Sequence, residues 1–241
     1  MDSKRHHTTE FAFNHAAAVE LARIGRRGVK VSVINNVLHN PDGVAALGFT
    51  QSYAQDRSNL YPGMRAAMPE RFSTPFRAWL TPILQRNGVL RTNQAISGDT
   101  SFFSVVTTAA RDLLPIQCIP HYDSTDPTLL AAVIYLCDTR FCATAFYRHR
   151  RTGYEEITEE NVNNYKLALN TDMRMHGAPK QEYMNGDSLL FETVFSNELQ
   201  FNSALVYPAR VLHAAMIEKQ FNSPQDRSEW RLTVTSLLRT A

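Results

Sequence analysis

Ile116-Gln117-Cys118-Ile119-Pro120-His121-Tyr122-Asp123 is the stretch on which the reading of the fold turns. In extended backbone, side chains two apart share a face, so Gln117, Ile119, His121 and Asp123 point one way and Cys118 the other. An imidazole and a carboxylate side by side form a chelating edge for a divalent metal. Alone the pair is weak, because eight histidines and 11 aspartates in 241 residues give about 0.4 His-X-Asp pairs by chance.

The surroundings strengthen it. From Gly98 onward the chain reads as short strands: Ser101 to Thr107, Ile116 to Asp123, Leu129 to Leu136, Ala143 to His149, Leu189 to Phe195, Gln200 to Tyr207 and Trp230 to Leu237. That texture, with turns at Gly186-Asp187 and Pro208-Ala209, predicts a sandwich or jelly roll. A polar helical insertion interrupts it at Thr158 to Arg174, within a longer insertion near 155–185 that reads as a lid or surface helix. A second histidine, His213, ends the run Ala204 to His213, and the last strand carries Arg231 and Thr233 on one face. Two histidines and a carboxylate on the inner face of a barrel match the facial triad of non-haem Fe(II) sites.

The N-terminal part reads differently. Residues 1–10 form a polar arm, expected to be disordered. Phe11 to Ile24 carries a 3.6-residue apolar stripe and predicts a helix ended by Gly25 and Gly28, followed by a strand from Val29 to Val37. Asn40-Pro41-Asp42-Gly43 introduces a helix from about Val44 to Tyr53. The stretch Gln55 to Thr81, with prolines at 62, 69 and 75, predicts irregular structure. The whole is expected to be one domain over 11–241, an α/β extension (11–97) leading into the β core (98–241).

Composition narrows the classes of function. The 25 basic and 23 acidic side chains nearly cancel, which leaves no electrostatic footprint for nucleic acid. The longest apolar run, Leu129 to Cys137, is half of the roughly 20 residues a membrane helix needs. The first residues lack an apolar stretch behind their basic ones, so no secretory signal is expected and the location reads as cytoplasmic. Three cysteines with no Cys-X-X-Cys spacing suggest buried apolar residues rather than disulfides or zinc. The dinucleotide-binding glycine motif, the P-loop and the serine-hydrolase elbow are all missing. Of the 25 basic residues 20 are arginine, a bias that supplies forks able to grip carboxylates.

The order His-X-Asp, distant His, then Arg on the last strand resembles the Fe(II)/2-oxoglutarate-dependent oxygenases, whose core is a double-stranded β-helix. Ala143-Thr144-Ala145-Phe146-Tyr147-Arg148-His149-Arg150 is similar to a Gly-Gly-Thr-X-Phe-Tyr-Arg-His-Arg pattern found in small bacterial oxygenase-like proteins, with Cys142 and Ala143 in place of the two glycines. The resemblance implies a mainly β jelly-roll, cupin-like fold with flanking helices. It implies Fe(II) held by His121, Asp123 and His213, and 2-oxoglutarate held by Arg231, Thr233 and Gln117, with O2 as the second cosubstrate. The retained Asp123 argues against halogenation, which in relatives goes with loss of this carboxylate.

On the substrate side, arginines interleaved with aromatics in Tyr61-Pro62-Gly63-Met64-Arg65 and in Tyr147-Arg148 suit a carboxylate beside an apolar chain. Arg65, Arg148, Tyr147 and Asn202 are therefore candidate substrate contacts. The expected partner is a small molecule, a free or modified amino acid in a biosynthetic pathway. Hydroxylation or oxidative ring closure is the expected outcome, cyclopropane formation on a nitro-amino acid being one form of the latter. A peptide hydroxylase and a non-catalytic metal-binding sensor are the alternatives. Nothing in the sequence sets the oligomeric state.

Overall fold

Gly25 and Gly28, both with φ near +60°, turn the first described segment back on itself as a hairpin of β1 (Ala18–Ile24) and β2 (Val29–Asn35). The structure is a computed structural model that describes residues 11–55, 60–137, 143–197 and 200–241. The helix expected over Phe11 to Ile24 is therefore a correction. Its apolar residues fit a helix by spacing, but each residue of Ala18–Ile24 finds a partner on β2, and tertiary pairing overrides weak local propensity. The polar arm at 1–10 lies outside the described residues.

Helix α1 (Pro41–Phe49) starts where proline is expected, with the Asn40 side chain accepting from the Gly43 N–H at 3.1 Å. The expectation of irregular structure from 55 to 81 is overturned. Strand β3 (Gly63–Ala67) and the 17-residue helix α2 (Glu70–Arg86) occupy most of it. Pro75 and Pro82 lie inside α2, but each forfeits one backbone bond on a partly exposed side. The helix is held by its apolar stripe of Phe72, Phe76, Trp79, Leu80, Ile83 and Leu84, all buried, and by Ser73 and Arg77 on Asp99 at 2.9 and 2.7 Å.

The remaining strands are β4 (Ile96–Val106), β5 (Leu129–Tyr135), β6 (Thr144–His149), β7 (Phe191–Ser196), β8 (Ser203–Pro208), β9 (His213–Ala215) and β10 (Leu232–Thr240). Seven form one antiparallel sheet in the order β1-β2-β8-β5-β10-β4-β3, and three form a second in the order β7-β6-β9. His121 bridges to His213 and so extends the second sheet beyond β9. Counting that bridge as a strand, the eight from β4 to β10 split four and four between two sheets, alternating except at the β6–β7 hairpin, which is the jelly-roll, or double-stranded β-helix, order.

Three apolar layers follow from strand parity. Phe103, Val105, Leu232 and Val234 face outward onto α1 and α2. Val133, Tyr135, Leu205 and Tyr207 face inward and meet Phe146 of the small sheet. Tyr147 and Phe191 face the far side of the small sheet, where α3 (Val162–His176) covers them through Tyr165. The polar insertion is thus the helix that seals the small sheet. Among the described residues no helix is long and apolar enough to cross a membrane.

Candidate metal centre

His121, Asp123 and His213 are brought together, the first two exposed and the third buried, with one possible ligand atom from each lying within 4.8 Å of the others. The segment carrying the first two is not the strand expected from its alternation. Pro115 starts a short 3₁₀ turn (Pro115–Cys118), and Pro120 has no N–H to give to a ladder. What survives is a pair of backbone bonds, His121 N to His213 O at 2.9 Å and His213 N to His121 O at 2.8 Å. Asp123 is fixed in turn by its N–H on the Ala209 carbonyl at 2.8 Å. Backbone pairing, not side-chain packing, therefore sets the spacing of the two rings, whose centroids lie 4.2 Å apart.

The Val211 carbonyl lies 2.9 Å from His213 Nδ1. A carbonyl only accepts, so Nδ1 carries the proton and Nε2 keeps its lone pair. That Nε2 stands 3.7 Å from Asp123 Oδ2, and His121 Nε2 stands 3.7 Å from Asp123 Oδ1. Such separations are too long for hydrogen bonds. They are compatible with two donors each about 2.1 Å from one ion between them. The donor set of two imidazoles and one carboxylate therefore fits a first-row divalent metal. Tyr207 packs edge-on against His213 at 4.8 Å and Phe146 lies 6.5 Å away, so the buried His213 ring cannot swing freely. His121 differs: its side chain is 55% exposed. Crowding of the ring by its surroundings, His213 and Arg65 nonetheless push it down to about 4, against the opposing pull of Asp123.

Arg231 and Thr233 lie on the inner face of the large sheet. Arg231 is buried, with its guanidinium 5.9 Å from the Tyr135 ring. Its charge is felt by Tyr61, Tyr135, Tyr183 and Tyr207, although in each burial dominates and keeps the phenol raised. Thr233 donates to the Ser104 carbonyl at 3.3 Å and lies beside the Tyr61 phenol. Tyr207 also feels Asp123, so one tyrosine spans the triad and the guanidinium. Of these tyrosines only Tyr61 was singled out from the sequence. The signal was present in the parity of β5 and β8, which puts Tyr135 and Tyr207 on the inner face.

Four of the expected contacts have other partners or another direction in the structure. Gln117 accepts from the Leu114 N–H at 2.8 Å and donates to the Leu60 carbonyl at 3.0 Å, so both ends of its amide staple the 3₁₀ turn to the segment near residue 60. Asn202 has φ +63° and exchanges two hydrogen bonds with the Leu38 backbone, at 2.8 and 2.9 Å. Tyr147 faces the α3 side of the small sheet. Arg148 is locked onto Glu155 at 2.6 Å and Glu192 at 3.2 Å. Of the four substrate candidates, Arg65 lies close enough to the triad for its charge to act on His121.

The Arg-His-Arg-Arg run at 148–151 has a structural use. Arg150 holds Asp187 at 2.8 Å, while Arg151 (2.6 Å) and buried His149 (3.1 Å) meet at Asp172 of α3. Burial would raise Asp172, but Arg151 and His149 outweigh it and hold the carboxyl below its usual value; burial lowers His149 despite the carboxylate. Both shifts mean that the folded state binds fewer protons than the unfolded chain, so this anchor strengthens with rising pH. It weakens first below the usual 6.5 of histidine, as His149 is driven to charge, and further below 3.8 as Asp172 protonates. Amides of α3 are therefore expected to exchange faster at pH 5 than at pH 7, after correction for intrinsic rates, while those of β10 do not. Equal protection of α3 at both values would count against this anchor.

Comparison with known proteins gives a family and a set of distant folds. A family model described as "Family of unknown function (DUF6445)" matches residues 15–238. No curated protein matches the chain. Among solved structures, the epimerase SnoN in complex with Fe3+, alpha ketoglutarate and nogalamycin RO is 14% identical, covering 88% of this chain and 80% of its own, with a TM-score of 0.49. AviO1 from Streptomyces viridochromogenes Tue57 is 12% identical over 86% and 89%, with a TM-score of 0.45. A Pseudomonas putida prolyl-4-hydroxylase is 10% identical over 87% and 91%, with a TM-score of 0.45. Likeness at this level says nothing of activity; the jelly-roll assignment rests on the strand order above.

Proposed function

Because the chain belongs to the family of unknown function DUF6445, we propose its activity from its own site: a non-haem Fe(II)/2-oxoglutarate-dependent oxygenase acting on a small metabolite. The observation that carries this reading is the convergence of His121, Asp123 and His213 on one point, with the His213 tautomer fixed so that Nε2 faces inward. Three protein ligands leave half of an octahedral ion open, enough for a bidentate 2-oxoacid and O2. When bound, the iron would supply the oxidising power for an unactivated C–H bond.

The chain's own residues supply position and dryness. The two histidines and Asp123 hold the ion; Arg231 holds the distal carboxylate of 2-oxoglutarate, a bidentate task for a fixed fork, and the Thr233 hydroxyl, on giving up its long 3.3 Å bond to the Ser104 carbonyl, donates to the same carboxylate. Tyr135 and Phe146 keep water from the inner face, both being fully buried. The substrate class we favour is a free or modified amino acid, with hydroxylation or oxidative cyclisation as the outcome, and the cytoplasm as the setting. Asp123 leaves no vacancy for a halide ligand.

Anaerobic protein with Fe(II) and 2-oxoglutarate is expected to develop a weak visible charge-transfer band, and O2 is expected to convert the 2-oxoglutarate to succinate. Metal retention with neither band nor succinate would instead support a non-catalytic metal-binding sensor. Product masses then separate the outcomes, one added oxygen for hydroxylation and two lost hydrogens for ring closure.

A further inference from the structure

Strand pairing places Arg65, Ser104, Thr233 and Tyr135 in one row across β3, β4, β10 and β5. Directly opposed residues of antiparallel strands project from the same face. The neighbours Met64 and Ala66 pack with the outer layer, which sends Arg65 to the inner face that Thr233 also occupies. There its guanidinium lies 4.4 Å from the centroid of Tyr61 and 5.6 Å from that of Phe102. Its Nε is buried and makes no hydrogen bond.

Four arginines at the small sheet each have a carboxylate: Arg148 has Glu155, Arg150 has Asp187, Arg151 has Asp172 and Arg210 has Glu156. Arg65 has none among the described residues. A guanidinium stacked on aromatic rings, half-buried, with an idle buried N–H, carries a desolvation cost that an incoming anion would offset. A planar fork matches a carboxylate bidentately.

We propose that Arg65 anchors a carboxylate of the organic substrate, which makes that substrate an organic acid or amino acid whose apolar body lies along Tyr61 and Phe102. The inference rests on the oxygenase reading above, and it divides the two inward guanidiniums between two anions. Arg231, deep on β10's inner approach, serves the cosubstrate; Arg65, on the edge strand, serves the substrate. Edge placement suits the second task, because β3 ends the large sheet and among the described residues is bonded outward through a single bridge from Arg65 to Ala54.

The test uses the full chain loaded with Mn(II) and 2-oxoglutarate, titrated calorimetrically with the proteinogenic amino acids and simple aliphatic and aromatic monocarboxylates, each beside its primary amide. At least one carboxylate is expected to bind at least tenfold more tightly than its amide. In Arg65→Gln that preference is expected to vanish, while 2-oxoglutarate affinity changes less than threefold; Arg65→Lys is expected to keep part of the preference. Thermal melting of each variant reports whether the fold survives. Retained carboxylate preference in a folded Arg65→Gln protein overturns the proposal, as does a loss of 2-oxoglutarate affinity equal to that of Arg231→Gln. Absence of any carboxylate preference in the wild type also overturns it. Failure of the oxygenase reading looks different: the wild type then takes up no 2-oxoglutarate at all, whatever the carboxylates do.

Discussion

Asp123→Ala is expected to give a folded protein that no longer keeps iron. The carboxylate is the one member of the triad with no structural duty. Its side chain is 32% exposed and its oxygens lie 3.7 Å from both imidazoles, beyond hydrogen-bond reach. The bond that fixes the segment runs from the Asp123 backbone N–H to Ala209, and alanine preserves it. Losing an orienting partner of a ligand typically weakens metal binding 10- to 100-fold, so losing a ligand is expected to cost about 100-fold or more. Succinate formation is expected to fall by roughly three orders of magnitude, the scale of losing an essential catalytic part. Metal content after dialysis and a melting curve of the apo protein check this together. Wild-type iron content in the folded variant would remove Asp123 from the ligand set. Asp123→Glu, which keeps the charge on a longer stem, is expected to fall between the two.

Glu155→Ala is expected to produce the largest loss of stability among single substitutions of charged residues. The Glu155 carboxylate is only 5% exposed and has three donors in reach: the Arg26 backbone N–H at 3.0 Å, and Arg148 through both Nε and a terminal nitrogen at 2.7 and 2.6 Å. Gly25, in the left-handed region, allows this approach, since a Cβ there would collide with the carboxylate. The interaction ties the β1–β2 turn of the large sheet to the small sheet. Its removal strands the Arg148 guanidinium, itself only 12% exposed, with the more exposed Glu192 alone. Breaking one side of a buried pair costs about 3–5 kcal/mol, which for a chain of this size is a fall in Tm of about 10 °C. The Glu155 carbonyl also accepts from the Leu212 N–H at 2.8 Å, one residue before His213. Metal affinity is therefore expected to drop modestly alongside stability, whereas Glu192→Ala, at a 41% exposed side chain, is expected to shift Tm by less than about 2 °C. Calorimetric melting of the two variants side by side decides the matter. Similar small shifts would show that the buried pair contributes little.

Residue order alone made the metal-binding candidates legible, because His121, Asp123 and His213 carry chemistry that few other residue types can supply. The β core was equally readable where strands are continuously apolar, as in Leu129–Tyr135, buried along its whole length. Readings failed where long-range partners decide. Residues 18–24 have a helical spacing, yet β2 supplies a ladder that no local pattern records. Prolines at 62, 69 and 75 argued for irregular structure, but the aromatic stripe of α2 buried against the sheet outweighs the backbone bonds lost at Pro75 and Pro82. Arg148 looked like a ligand contact because an arginine beside an aromatic suits a carboxylate, and Asn202 because a polar residue in a strand invites that reading. Their partners, Glu155 and the Leu38 backbone, lie 7 and 164 positions away in the chain. Arg65 was recognisable by its company of aromatics, but its inward direction depends on a register that only the folded sheet defines.

The unequal footing of the two inward arginines has an evolutionary consequence. Thr233 and its neighbours on β10 are bonded on both sides, to β4 and to β5, and a change of register there would displace the centre of the large sheet. Strand β3 has five residues and a single full neighbour. Descendants of one ancestral chain can therefore exchange β3 and the residue at position 65, acquiring new preferences, while the inherited chemistry proposed for β10 and the arginine before it is passed on unaltered.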